Sequence, residues 1–429
     1  MVAAPTSGSG KTTVARALMA HCAQRGLRVQ PFKCGPDYID TKFHEAVCGR
    51  PSVNLDSFMA PTSHIGWLFH HYGADADVCI VEGMMGLFDG YDRDSGSSAE
   101  IARVLGLPVV LVVDARSAAY STAALLTGFI NFDKDVHVAG VIFNKVGSER
   151  HAAMLRQVCD DLHTACLGCL RKDTALAQQG ERYLGLDFSS MASPLSLEEE
   201  SSPGFGIDWE RLMQCQPSQP PVLPHPTGVL QPMPRPASGG HRRTVIARNG
   251  ESFSFLYQET IDALGEVLFF DPETEVPPLH DTDLLYLPGG YPEKHLEALS
   301  NAQATRQAIR TFAERGGRVI AECGGMMYLC NDIVTDEAAY PMCGVLPYTI
   351  TARTADRKLS LGYRQFTLDG REYRGHEFHY TQFLGPVPPS ATQVFDARGK
   401  AVATPVFRHK NVLASYTHLY NIVSAFVTK

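Results

Sequence analysis

The sequence predicts an α/β protein made of two units, and three observations carry that prediction. Short apolar runs alternate with helix-forming stretches through the first two hundred residues. A proline-rich stretch then interrupts the pattern, and a second alternating unit resumes beyond it. Each unit also carries one local signature of chemistry, a glycine-rich phosphate loop in the first and a cysteine at a strand-to-helix turn in the second. Apolar runs flanked by helices are the mark of strands buried on both faces of a parallel sheet.

In chain order, the first unit offers strands at Val78–Val81, Val109–Val113 and Val138–Phe143, with helices at Ser98–Leu105 and Ala118–Ile130. From Gln214 to Gly240 there are eight prolines with Gln, Ser and Gly and no periodicity. Proline lacks the N–H that a ladder or helix needs, so this stretch reads as a stiff interdomain linker. The pattern then resumes with Thr244–Ala247, a helix near Leu256–Leu264, Val267–Phe270, Leu284–Leu287, a helix near Ala302–Glu314, and Arg318–Ala321. The expected division is residues 1–200 as a nucleotide-binding unit, 201–243 as linker, and 244–429 as the second unit.

Composition limits the function. The 429 residues carry 38 Lys+Arg and 46 Asp+Glu, a formal net charge of −8. That balance lacks the basic face that duplex nucleic acid demands. The longest apolar stretch, Leu105 to Val113, is broken by Pro108 and falls far short of the ~20 residues a membrane span needs. The first residues contain no apolar h-region of a secretory signal. Eleven cysteines, an odd number scattered over a long chain, suit a reducing cytoplasm better than a disulfide framework. Cys166 and Cys169 form a lone CxxC without the second ligand pair that a zinc site requires.

Residues Ala4–Thr13 read APTSGSGKTT. Gly8 and Gly10 let successive backbone N–H groups turn inward on phosphate oxygens. Lys11 adds a point charge for the β/γ-phosphates, Thr12 a hydroxyl ligand for Mg²⁺, and Thr13 completes the ATP-binding loop. A helix starting near Thr12 aims its N-terminus at the same anion. Pro5 stands where the plain motif has its first Gly. Only Met1–Ala3 precede the loop, so either its anchoring strand is very short or the true start lies upstream.

Acidic clusters follow at Gly35–Asp40 (GPDYID), Asn54–Met59 (NLDSFM) and Glu82–Gly90 (EGMMGLFDG). A carboxylate at the C-terminal end of a strand, facing a phosphate loop, is where a Mg²⁺ ligand belongs. Glu82 is the first choice, and Asp37 and Asp40 either flank that metal or hold substrate. Turn acids also cap helices, which is the bland reading of each. Asp114 follows its strand in the same way and is expected to orient the site indirectly. Asn144, in IFNKV, is read either as a contact to the adenine edge or as a structural loop residue.

Residues Val319–Leu329 read VIAECGGMMYL, a strand–turn–helix that exposes Cys323, with Ala321 and Gly325 as the small flanking residues. The helix N-terminus is expected to lower the thiol pKa. Upstream, LPGGYPE supplies Gly289 and Gly290, whose N–H groups with that of Gly324 form a candidate oxyanion hole. A cysteine nucleophile needs a base, and His418 in SYTHLY is the choice. His376 and His379, in GHEFHY, read as buried structural histidines.

These motifs, in this order over nearly the whole chain, resemble the cobyrinic acid a,c-diamide synthase family. The resemblance implies a dethiobiotin-synthetase-like P-loop domain followed by a class I glutamine amidotransferase-like domain. It implies amidation of the a- and c-acetates of a corrin precursor, with ATP and L-glutamine as co-substrates and Mg²⁺ as cofactor. Carried over by residue, the loop lysine falls on Lys11, the nucleophile on Cys323 and its histidine on His418. The family's substrate- and metal-handling positions fall on Asp37, Tyr38, Asp40, Glu82 and Asp89. Cys34 and Ala4 depart from the family's usual aliphatic residue and glycine. Class I glutaminases also carry a Glu two residues after the histidine, where Tyr420 stands here, so a Cys–His dyad with a weakly oriented imidazole is expected.

A carboxylate resists direct amidation because hydroxide leaves poorly. Transfer of the ATP γ-phosphoryl group to make an acyl phosphate removes that obstacle. Ammonia released from glutamine through a thioester then displaces phosphate, and it needs an enclosed route between the two halves. The expected partners are a corrinoid small molecule and a second copy of the chain, with no nucleic acid or membrane. Hydrogenobyrinate and other modified tetrapyrroles such as nickel-sirohydrochlorin suit the same motifs. A dethiobiotin-type ligase leaves the second unit without a purpose, and a partitioning-type ATPase switch lacks its membrane or DNA face.

Overall fold

The computed structural model describes residues 1–172, 205–215 and 243–420, and these fall into two compact units. Residues 1–172 and 205–215 make the first, and residues 243–420 the second. The proline-rich stretch, apart from Gln214 and Cys215, lies outside the described residues, as do residues 173–204 and 421–429.

The first unit is an eight-stranded sheet of β1 (Val2–Ala3), β2 (Val29–Cys34), β3 (Val53–Leu55), β4 (Val78–Glu82), β5 (Val109–Asp114), β6 (Val138–Val146), β7 (Cys166–Arg171) and β8 (Gly206–Ile207). Their spatial order is β3-β2-β4-β1-β5-β6-β7-β8, parallel except for β8. β2 is buried along its whole length and β5 at every residue but its last, as a sheet covered by helices on both faces requires. The two-residue β1 suffices to hold the phosphate loop because it sits between β4 and β5, pairing Val2 with Glu82 and Val110. The helix at Ser98–Leu105 shows how local chemistry sets the elements. The Ser97 hydroxyl accepts the Glu100 N–H, and Gly106 closes the helix with a left-handed residue.

Two expectations change here. The helix expected from Ala118 begins at Thr122, because Ser117 adopts a positive φ of 57° and the chain turns before it coils. Residues 206–213, expected in the linker, instead add strand β8 and a short helix, Trp209–Met213, to the first unit. The ring of Trp209 stacks on His21 at 3.4 Å. An edge strand of two residues leaves no periodic trace in sequence.

The second unit is centred on a six-stranded sheet that includes β9 (Arg243–Ala247), β10 (Glu266–Phe270), β11 (Leu284–Leu287) and β12 (Val319–Glu322). The order is β10-β9-β11-β12, then Val412–Ser415 and Val406–His409, with only the last antiparallel. Helix Gln303–Glu314 covers this sheet with Thr305, Ile309 and Ala313, four residues apart on one face. A five-stranded antiparallel sheet brings strand His418–Tyr420 beside Arg371–His379, with His376 opposite His418.

Candidate active centres

The phosphate loop is built as its glycines suggest. Gly8 and Gly10 take φ of 87° and 90°, and Gly10 caps the helix Lys11–Gln24 that opens with Lys11, Thr12 and Thr13. A side chain at Gly10 would put its Cβ 2.1 Å from the Asn144 amide nitrogen, so this position needs glycine for space as well as for φ. Asn144, expected either at the adenine edge or as a structural loop residue, is engaged with the loop itself. Its amide donates to the Ser9 carbonyl at 3.0 Å and its carbonyl accepts the Lys145 N–H at 2.9 Å, which makes it a brace for the loop. Lys145 adds a second brace, donating to the Gly8 carbonyl at 3.0 Å and pairing with Asp114 at 3.2 Å. Asp114 thus acts on the loop indirectly, through Lys145.

The three acidic clusters converge on this loop. The Leu87 N–H donates to the Ala4 carbonyl at 2.8 Å, and a Cβ on Gly86 would lie 2.6 Å from the Pro5 carbonyl. A Cβ on Gly35 would meet Met84 at 2.3 Å, so GPDYID abuts EGMMGLFDG. Asn54 ties its own cluster in by donating to the carbonyls of Gly35 and Asp37 at 2.8 and 2.9 Å. Within the clusters, several acids have structural tasks. Asp37 caps the helix Ile39–Cys48 through the N–H groups of Ile39 and Asp40, Asp56 caps its own turn, and Asp89 accepts the Gly86 N–H at 2.9 Å. Tyr38 is buried.

At the centre lies Glu82, fully buried. Its Oε1 accepts the Thr12 hydroxyl at 2.6 Å and the Lys33 ammonium at 2.8 Å, and its Oε2 meets His44 Nε2 at 2.7 Å. Lys33 also pairs with Asp40 at 2.5 Å, and His44 reaches Ser52 at 3.0 Å. Burial alone would push the Glu82 carboxyl up, but Lys33, His44 and Lys11 outweigh it and hold the carboxyl well below its ordinary range. Asp40 goes the other way, pushed up to about 8 by burial and by the Asp37 and Glu82 charges, against Lys33. Sequence reasoning missed Lys33 and His44. Lys33 is opposite Glu82 in the β2–β4 register, a pairing of residues 49 apart in the chain.

The cysteine centre is equally local in origin. β12 ends at Glu322, and Cys323 turns the chain with φ 45° and ψ −107° into the helix Gly324–Leu329. Gly325 is required there, because a Cβ would lie 2.0 Å from the Leu287 carbonyl. A Cβ on Gly324 would lie 3.1 Å from the Gly290 nitrogen, so the Gly289–Gly290 loop is brought against the elbow as the oxyanion reading requires. The expected depression of the thiol pKa is overturned. Burial pushes Cys323 up, Glu293, Glu377 and Glu322 push it further, and only the Gly324 N–H opposes them. A six-residue helix cannot offset a dry, acid-rich setting.

His418 is fully buried, and burial with His376 and His379 holds it well below its ordinary pKa. Its ring stacks with His376 at 5.0 Å and lies 5.7 Å from the Phe255 ring. A Cβ on Gly289 would approach its Cε1 to 2.1 Å. These neighbours confine the imidazole. His376 reaches the Tyr257 hydroxyl at 3.3 Å, and His379 the Thr381 carbonyl at 2.9 Å, as structural histidines do. Glu322, also missed, anchors the histidine strand by accepting the Leu419 N–H at 3.1 Å and the Tyr286 hydroxyl at 2.8 Å.

Two family models match the chain, the CobQ/CobB/MinD/ParA nucleotide binding domain over residues 1–186 and the CobB/CobQ-like glutamine amidotransferase domain over residues 244–424. A hydrogenobyrinate a,c-diamide synthase of Rhizobium meliloti is 39% identical, covering 98% of both chains. One from Streptomyces coelicolor is 36% identical, and a cobyrinate a,c-diamide synthase of Caldanaerobacter subterraneus subsp. tengcongensis 38%, each covering 98% of this chain and 94% of its own. The chain belongs to the cobyrinate/hydrogenobyrinate a,c-diamide synthase family. Like the family, it joins an ATP-binding domain to a glutamine amidotransferase domain and is a glutamine-dependent, amide-forming ligase. Among the described residues, no helix is long and apolar enough to cross a membrane.

The tight approach of Gly289 to the imidazole gives a first prediction for this a,c-diamide synthase family member. Gly289→Ala must displace His418, and displacement of a catalytic group by ~1 Å costs on the order of 10² in rate. Glutamine-driven turnover is expected to fall by that factor while ammonia-driven turnover is kept. Steady-state rates with each nitrogen source check it, and equal rates for variant and parent with glutamine would refute it.

Proposed function

We propose that this chain amidates the a- and c-acetate carboxylates of cobyrinate in the cytoplasm, with Cys323 and His418 making ammonia and the Lys11 loop making the acyl phosphate. The observation that carries the reading is the presence, in one chain with full-length diamide synthase relatives, of a phosphate loop whose Thr12 is hydrogen-bonded to the buried Glu82 and of a cysteine elbow packed on the Gly289–Gly290 loop, which in turn packs against the buried His418. All eleven cysteines are free thiols, in keeping with a reducing compartment.

In the first centre, loop N–H groups and Lys11 hold the ATP phosphates and neutralise charge as the γ-phosphoryl group passes to the acetate oxygen. The residues present fit a Mg²⁺ ion. By donating its proton to Glu82, the Thr12 hydroxyl keeps its lone pairs for a cation, and Glu82 is its orienting partner rather than the expected direct ligand. Bound there, Mg²⁺ supplies charge neutralisation to the phosphates. Asp40, paired with Lys33, stands ready at the same cluster for substrate or metal, and Asp37, Tyr38 and Asp89 shape the adjoining loops.

In the second centre, thiol and imidazole both start neutral. His418 takes the Cys323 proton as sulfur attacks the glutamine carboxamide, and the oxyanion is received by the N–H groups of Gly290 and Gly324. The imidazolium returns the proton to departing ammonia, and water releases glutamate from the thioester. Ammonia then attacks the acyl phosphate, forming amide and inorganic phosphate.

Hydrogenobyrinate is the second reading of substrate, favoured because relatives of near-equal identity carry that name. Mass spectrometry of each acid incubated with ATP, Mg²⁺ and glutamine decides between them. Two successive acid-to-amide conversions on cobyrinate are expected, and conversion of hydrogenobyrinate alone would move the assignment to it. Conversion of neither would overturn the function.

A further inference from the structure

Three carboxylates act on the Cys323 thiol, and each has a different setting. Glu322 is engaged by the Tyr286 hydroxyl and the Leu419 N–H. Glu377 is engaged by Arg364 at 2.7 Å, Ser360 at 2.9 Å and the Thr417 hydroxyl. Glu293 is the remaining one. Among the described residues its carboxylate has no side-chain hydrogen bond or ion pair; it accepts its own backbone N–H, and the Lys294 and Arg357 cations and the Glu251 acid lie near enough to act on it electrostatically. The neighbouring cation Lys294 is committed elsewhere, pairing with Glu251 and lying 4.5 Å over the Tyr291 ring.

The position of Glu293 matters as much as its lack of a side-chain partner. It lies in the turn Pro292–Lys294 that follows the Gly289–Gly290 oxyanion loop, and Pro292 is 2.8 Å from where a Cβ on Gly324 would stand. Half-buried beside a buried thiol and without a paired side chain, this carboxylate is open to a ligand, and it repels the thiolate the reaction must form. Such a group persists where a bound ligand completes it.

We infer that Glu293 receives the α-ammonium group of glutamine in the cysteine centre, and so selects this amino acid over other primary amides. The inference rests on the reading of Cys323 as the glutaminase nucleophile. It also supplies what the raised thiol lacks. Seating a cation on Glu293 removes one of the three repulsions felt by the sulfur, so the thiol becomes easier to ionise when the proper substrate is present. Burial pushes Glu293 up to about 7, and the arriving ammonium favours its charged form.

The test compares L-glutamine with glutaramate, the same amide without the α-amino group, in steady-state hydrolysis by the full-length protein and by Glu293→Gln. The parent is expected to prefer L-glutamine strongly. Glu293→Gln should raise the KM for L-glutamine by about 10²-fold, leave hydrolysis of glutaramate little changed, and keep ammonia-driven amidation. An unchanged KM with unchanged preference overturns the inference while leaving the glutaminase reading intact. Failure of the parent to hydrolyse glutamine overturns both. Should Glu293→Gln lose ammonia-driven amidation too, Glu293→Asp decides: a folded variant that keeps the carboxylate must keep the preference for L-glutamine, and its loss there overturns the inference.

Discussion

Cys323→Ser is expected to abolish glutamine-driven amidation, by at least about 10⁴-fold, while the ammonia-driven reaction continues at the parent rate. The reasoning is geometric and chemical together. Serine keeps the elbow, because an Oγ fits where Sγ stood and the positive φ at this position is carried by the backbone. It cannot keep the chemistry. The unassisted hydroxyl is a far weaker nucleophile than the thiol, and His418, held well below its ordinary pKa by burial, is a weak base for a group so hard to ionise. Ammonia added to solution bypasses this centre and meets the acyl phosphate directly. The measurement is amide formation with each nitrogen source, together with glutamate release. Equal loss of both reactions would show that the cysteine serves the amidation step itself, and the division of labour proposed above would fail.

The contrast between the two centres also shows what a sequence discloses. The cysteine elbow and the phosphate loop were legible because each is encoded by contiguous residues whose spacing fixes a backbone shape: Gly8 and Gly10 before Lys11, and Cys323 between Glu322 and Gly324. Strand Leu284–Leu287 and helix Ser98–Leu105 were legible to the residue because burial on both faces, or a serine cap and a terminal glycine, leave local marks. What stayed hidden depends on register. Lys33 reads as one charge in the run VQPFKC and becomes meaningful only when β2 pairs with β4. The upward push on the Cys323 thiol stayed hidden for the same reason, since Glu377 and Glu293 act on it from distant segments. Asn144 was noticed, but its bracing of the loop is visible only in the fold, where its amide is engaged by Ser9.

Lys33→Met carries the largest expected effect in the first unit. The methionine matches the length of the aliphatic stem but removes an ammonium that pairs directly with both Glu82 and Asp40. Lys33 is 3% exposed and Glu82 not at all, so water cannot take over the lost solvation. Removing one partner of such a buried pair costs about 3–5 kcal/mol, because the remaining charge is stranded. The loss should depend on pH in a defined direction. In the parent, the Glu82 carboxyl is held below its unfolded value, so its contribution is present above about pH 4.5 and is lost as pH falls through the depressed folded pKa. In the variant both carboxyls are raised by burial and mutual repulsion, so folding is progressively weakened as pH climbs from ~4. The gap in thermal midpoint between parent and variant should therefore widen from pH 5 to pH 7.5 and narrow on acidification. A destabilised Glu82 also orients Thr12 poorly, so amidation with glutamine and with ammonia should fall together, unlike the cysteine variant. A pH-independent gap, or an unchanged midpoint, would mean that Lys33 does not neutralise these acids and that the cluster is held by its other partners.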